Sequence, residues 1–175
     1  MKTRLFFLSV IMLSFTLVTL AQKKDKDIPG DARRAVAEMK KKDPGINKFF
    51  NTAYAYAVFP NIGKGGLGVG GASGKGIVYR GGKAVADAKM TQVTIGFQAG
   101  GQKYAEVIFF ENAKAYNDFM SGNYEFAAQV SAIALKSGAS ANATYKDGIL
   151  VVTMGKGGLM YEASVGGQKF KIEKY

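Results

Sequence analysis

The twenty residues from Gly63 to Gly82 are half glycine, carry only positive charge, and set short aliphatic or aromatic segments between the glycines. Backbone so poor in side chains is either a linker or a segment packed close against something else. The interleaved Leu67, Val69, Ile77, Val78 and Tyr79 favour the second reading. Gly63-Lys64-Gly65-Gly66-Leu67 returns as Gly155-Lys156-Gly157-Gly158-Leu159, and Gly100-Gly101-Gln102-Lys103-Tyr104 returns as Gly166-Gly167-Gln168-Lys169-Phe170. Two echoes are too few for a solenoid, which needs several units at a fixed period. They point to equivalent turns in one sheet or barrel.

The period of the apolar residues changes along the chain. Ala32, Ala35, Val36 and Met39 have helical spacing, with Asp27 or Asp31 as N-cap and Lys40 to Lys42 at the end the macrodipole makes negative. Asp43-Pro44 opens a second short helix through Ile46, Phe49, Phe50 and Ala53. From Tyr54 the pattern alternates between glycine pairs, as in hairpins. Strands are expected at about 53–59, 65–72, 76–80, 83–87, 93–99 and 104–110, with a two-residue turn at Gly81-Gly82. A helix follows from Glu111 or Asn112 through Phe119. Residues 126–135 fit both periods, and the Gly138 and Ser/Ala-rich run after them tips the reading to strand. Lys146-Asp147-Gly148 turns into a strand at 149–154, and 159–165 with 169–174 form a hairpin around Gly166-Gly167. The fold class expected is α+β: two short N-terminal helices, a curved antiparallel sheet tending to a barrel, and one inserted helix.

Lys2 and Arg4 precede an apolar run from Leu5 to Leu20 that ends in Thr19-Leu20-Ala21, the layout of a cleaved export signal. The expectation is a signal peptide over 1–21, a mobile leader over 22–30 and a single domain over 31–175, exported to a periplasm or extracellular space and peripheral to a membrane. With no cysteine there is neither an acylation site nor a disulfide.

The chain holds 24 basic and 13 acidic residues; without Lys2 and Arg4 the count is 22 against 13, a formal charge of +9. No Asp or Glu occurs from Pro44 to Ala86. A one-signed surface attracts polyanions, and export leaves nucleic acid the least apt of them. With neither His nor Cys, ordinary serine triads, cysteine nucleophiles and the N and S ligands of zinc, copper or haem are excluded. No catalytic residues, metal or cofactor are expected. Asp87, Glu106, Glu111 and Asp118 are the carboxylates nearest the sheet. Gly63-x-Gly65-x-x-Gly68 matches a dinucleotide fingerprint by letter, but Ala72-Ser73-Gly74-Lys75-Gly76 cannot supply the helix that the motif needs.

Charge therefore selects Lys64, Lys75, Arg80 and Lys83 as binding residues, with Lys64 and Lys75 expected in turns stripped of bulk. Tyr54, Tyr56, Phe59 and Tyr79 are either core or interfacial aromatics. The helix bearing Arg33, Arg34 and Lys40 to Lys42 is a second candidate surface.

Ala57-Val58-Phe59-Pro60, the glycine-lysine segment, Gly96-Phe97-Gln98-Ala99-Gly100, Glu106-Val107-Ile108-Phe109-Phe110 and the ending from Tyr161 to Phe170 together resemble the SYLF-domain family, in its secreted bacterial branch. The resemblance runs from about Asp31 to the C-terminus. It implies a non-catalytic domain that binds phosphoinositides or other anionic phospholipids, with actin binding described for fungal relatives. The alternative function is a cell-envelope structural or interaction protein with an acidic glycan or protein partner.

Overall fold

A computed structural model describes residues 27–96, 101–126, 130, 132–156 and 165–175. The expected signal peptide, residues 22–26 of the leader, residues 97–99 of the strand expected at 93–99 and the 159–164 part of the last hairpin lie outside them, while residues 28–30, expected in the mobile leader, open the first helix. Helix α1 (Ile28–Lys42) starts where Asp27 accepts the Gly30 amide at 2.9 Å, and it buries Ala32, Ala35 and Met39. The second helix is divided: a 3-10 turn (Pro44–Ile46) precedes α2 (Asn47–Thr52).

Asp43 holds this corner. Its carboxylate accepts from Gly45 N at 3.1 Å and from Ser140 N at 2.8 Å, tying the helices to a segment 97 residues away. Burial works against its charge, but hydrogen bonds from Ser140, Gly45 and Gly138 outweigh that and hold the carboxyl below its ordinary range. Asp43→Ala removes the cap and strands the buried Ser140 amide. We expect a loss of about 2 kcal/mol in urea-unfolding stability at neutral pH.

Strand β1 runs without interruption from Ala55 to Arg80, and β2 (Lys83–Gly96) follows the Gly81-Gly82 turn, whose φ values are +56° and +77°. The breaks expected at 73–75 and 88–92 do not exist. There the continuous antiparallel register Ser73↔Thr91, Gly74↔Met90 and Lys75↔Lys89 supplies the backbone partners that small and polar side chains do not advertise.

A straight strand of 26 residues would span about 88 Å. Instead β1 doubles back. A Cβ on Gly66 (φ +147°) would lie 2.2 Å from Gly70 Cα, whereas residues four apart along a strand stand about 13 Å apart. Further from this bend, a Cβ on Gly74 would meet Ile62, and one on Gly76 would meet Val58 and Phe59. The first limb pairs with β3 (Gln102–Phe110) and the second with β2. Glycine lets the two limbs close on each other.

Beyond β3 come α3 (Ala113–Phe119, capped by Asn112 on Ala115 N at 3.0 Å), β4 (Asn123–Glu125), β5 (Ala132–Ala134), β6 (Ile149–Lys156) and β7 (Gln168–Lys174). Of the ambiguous 126–135 stretch, only β5 is strand among the described residues, and it pairs with β6 in parallel. The order is β4-β7-β2-β1-β3-β6-β5, eight strands when the limbs of β1 are counted separately. Flat, such a sheet would place its edges about 34 Å apart. Seven residue steps, Glu125 to Ala132, span at most about 25 Å. The sheet must therefore curl, and it is strongly curved. The sequence echoes fall together: Gly63 and Lys156, at corresponding ends of the two glycine-lysine copies, flank Lys103.

Each face carries a core, the outer one over the first limb of β1, β3 and β6. Ala57, Phe59, Val78, Met90, Ile108, Phe110 and Phe170 enclose the inner core with Tyr116 and Phe119 of α3. Val58, Val107, Phe109, Leu150 and Val152 form the outer core beneath α1 and Phe49 of α2. Alternation along Val107-Ile108-Phe109-Phe110 feeds the two cores in turn, which is why that run is apolar throughout.

Candidate functional site

The four cations selected by charge do not form one cluster. Arg80 and Lys83 face each other across the Gly81-Gly82 turn. Arg80 is engaged within the molecule: its guanidinium lies 4.7 Å from the Tyr54 ring centroid and 5.5 Å from that of Tyr116, and it donates to the Tyr54 hydroxyl. Lys75 stands five positions further along β1, about 17 Å away. Lys64 is half-buried on the other limb, opposite Gln102. It alternates with Ile62 onto the inner side, whereas Lys75 faces outward.

Pairing brings Lys75 different neighbours. Lys75 is directly opposite Lys89, and Lys89 is directly opposite Lys171, so three exposed lysines line up across β1, β2 and β7. The next row toward the bend of β1 is Ser73, Thr91 and Lys169, the last 3.5 Å from Glu125. Val93 follows, opposite Gly71, with Val69 two residues on; these are 75% and 69% exposed. On the other side of the lysine row are Asp87 and Glu173, with Asp87 accepting from the Tyr175 hydroxyl at 2.7 Å. Sequence reasoning missed Lys89, Lys169 and Lys171. Each sits at an outward position of an alternating strand, but only register makes them neighbours of Lys75.

The aromatics resolve as packing. Phe59 is fully buried, Tyr56 stacks on Tyr79 at 5.2 Å, and Tyr54 rests against Tyr116. On α1, Lys40 covers the Phe50 ring at 4.8 Å and Arg34 pairs with Asp31.

Of the four carboxylates, Glu106 alone is buried, facing the inner side of β3. Gln168 Nε2 donates to its Oε2 at 2.9 Å. Burial pushes its carboxyl up to about 7, against the opposing pull of Gln168. Asp87, Glu111 and Asp118 are exposed, so no second carboxylate joins Glu106 in a catalytic pair among the described residues. No group of three or more carboxylates that could hold a metal ion occurs among the described residues, and none of their helices is long and apolar enough to cross a membrane. The residues after the glycine fingerprint, 72–76, lie within β1, so no helix start stands there to meet a pyrophosphate.

Residues 91–174 match the family described as Ysc84, Las17-binding protein actin regulator. The family is associated with actin and lipid binding and is a family of binding domains, with no known enzymatic activity. The chain is also similar to beta cell expansion factor A of Aeromonas veronii, 29% identical over 144 residues, which is 82% of this chain and 55% of that protein. It thus spans little more than half the length of that relative.

Proposed function

From a chain that carries an Ysc84-type (SYLF) domain over residues 91–174, we propose a non-catalytic module that binds anionic phospholipid at a membrane surface, after export to a periplasm or extracellular space. The observation that carries this reading is the absence of any carboxylate over residues 44–86, a run that includes the whole of β1. Lys48, Lys75, Arg80 and Lys83 are exposed within it. Negative headgroups approaching this region meet no fixed negative charge from that strand. Each lysine near an anionic bilayer is worth about 1 kcal/mol, so several give a modest affinity that salt weakens.

Flotation with phosphatidylglycerol-containing vesicles at low salt should carry the protein upward. Phosphatidylcholine vesicles, or the same anionic vesicles in 1 M salt, should leave it behind. Equal flotation under all three conditions would discard the anionic-lipid reading. Capture by an acidic envelope glycan or protein, with no flotation at all, would establish the alternative.

A further inference from the structure

Three like charges directly opposite one another cost stability, and lysines are commonly placed on strands to guard exposed sheet edges. That explanation fails for Lys75 and Lys89, because β1 and β2 are interior strands and each has partners on both sides. Nor does a direct ion pair account for the row: none of Lys75, Lys89 and Lys171 has a carboxylate oxygen within 4 Å among the described residues, and Asp87 and Glu173 stand one row away. The outer core formed with α1 and α2 draws its strand residues from the first limb of β1, β3 and β6 and reaches Tyr79 on the second limb. Among the described residues, none of β2 or β7 belongs to it. Among the described residues, Lys75, Lys89 and Lys171 and the outward positions Thr91 and Lys169 beside them are exposed, and the outer core ends at the buried Ile77 and at Tyr79 on the second limb of β1.

The order of chemistry along this face is directional. Starting from the bend of β1 it reads Val69 and Val93, then Ser73, Thr91 and Lys169, then Lys75, Lys89 and Lys171, and finally Asp87 and Glu173. Exposed aliphatics at one end, cations behind them and carboxylates furthest away match the profile of a bilayer interface. Such an interface passes from acyl boundary to phosphates to bulk water. The lysine row spans two interstrand spacings, about 10 Å, broad enough to meet more than one phosphate.

We propose that this face docks the protein on an anionic bilayer: Val69 and Val93 enter at headgroup level, and Lys75, Lys89 and Lys171 engage lipid phosphates. The assignment rests on the lipid-binding reading above. It locates the contact on the exposed outward positions of β1, β2 and β7 rather than on α1 or at the Arg80 turn.

The test compares the full chain with the triple variant Lys75→Gln, Lys89→Gln, Lys171→Gln and with a charge-matched control, Lys41→Gln, Lys42→Gln, Lys136→Gln, on phosphatidylglycerol/phosphatidylcholine vesicles. The row variant should partition on the order of a hundredfold more weakly, and the control should lose far less. Because the chain has no Trp, Val93→Trp installs a single reporter whose emission should shift to the blue when vesicles are added. Row and control variants losing affinity equally, or an unshifted Trp in a protein that floats, would overturn the assignment while leaving lipid binding intact. A parent protein that ignores vesicles would remove both. Retained binding of the row variant to vesicles alongside lost binding to a single-stranded oligonucleotide would make the row a nucleic-acid surface, and would also overturn it. The substituted lysines are exposed, so circular dichroism of all variants should match the parent.

Discussion

Gly76→Ala should lower the unfolding free energy by about 3 kcal/mol, at the upper end of the usual cost of overpacking. The added methyl would sit 2.5 Å from Val58 O and 2.6 Å from Phe59 Cδ1. Neither neighbour can yield cheaply. Val58 is a fully buried residue whose backbone is held in register with Val107, and Phe59 packs in the inner core against Phe170 at 5.7 Å. Separating the two limbs of β1 would relieve the clash only by opening the centre of the sheet. At about 2–4 °C per kcal/mol for a domain of this size, the melting temperature should fall by about 10 °C. Gly65→Ala is the internal control, since a Cβ there meets nothing within 4 Å, and it should change stability by no more than about 0.5 kcal/mol. Equal melting temperatures for the two variants would refute the close approach of the limbs.

Stability should fall as pH rises from about 5 to about 7, the opposite of ordinary acid denaturation, and Glu106 is the cause. Its folded carboxyl is raised to about 7 from an ordinary 4.5. Between those values the unfolded chain has released the proton and the native chain still holds it. The stabilisation is thus complete below the unfolded value and lost as pH climbs through the folded one, flattening above it. At 1.36 kcal/mol for each pH unit, the change is at most about 3 kcal/mol. The geometry agrees: Glu106 Oε1 and Gln168 Oε1 are both buried without a hydrogen-bond partner. A proton on Glu106 Oε1 could donate to Gln168 Oε1, closing an acid–amide pair in which every polar atom is satisfied.

Neither His nor the other shifted groups nearby compete in this window: the chain has no His, Asp43 is held low, and burial keeps Tyr104 high. Glu106→Gln preserves the pairing without a charge. Its guanidinium midpoint should be flat from pH 5 to pH 8 and should exceed the parent's at pH 8. A parent midpoint that does not move across this range, or a variant that keeps the slope, would assign the effect elsewhere.

Much of this was legible in the residues because local physics fixes it. Asp27 and Asn112 cap helices where their side chains can reach free amides, Gly81-Gly82 turns where positive φ is needed, and the carboxylate-free run and the missing His and Cys bound the chemistry. The similarity of residues 91–174 to a lipid- and actin-associated family covers the motifs at 96–100, 106–110 and 161–170, while those at 57–60 and 63–82 lie before it. Less legible were the places where side chains are small. Ser73, Gly74 and Thr91 look like loop residues, yet they are strand because a neighbouring backbone pairs with them.

The amino-acid order by itself determined the element types, the sign of the surface and the need for glycine in the first long strand, since each follows from spacing, charge or backbone freedom within a few residues. Tertiary structure alone decided that β1 folds onto itself, that Glu106 meets Gln168, and that Lys75 shares a row with Lys89 and Lys171 rather than a cluster with Lys64 and Arg80. The reason is register. A one-residue slip in any strand pairing would turn those side chains to the opposite face, and the pairing is set by how two cores pack on a curved sheet, at sequence separations no local pattern encodes.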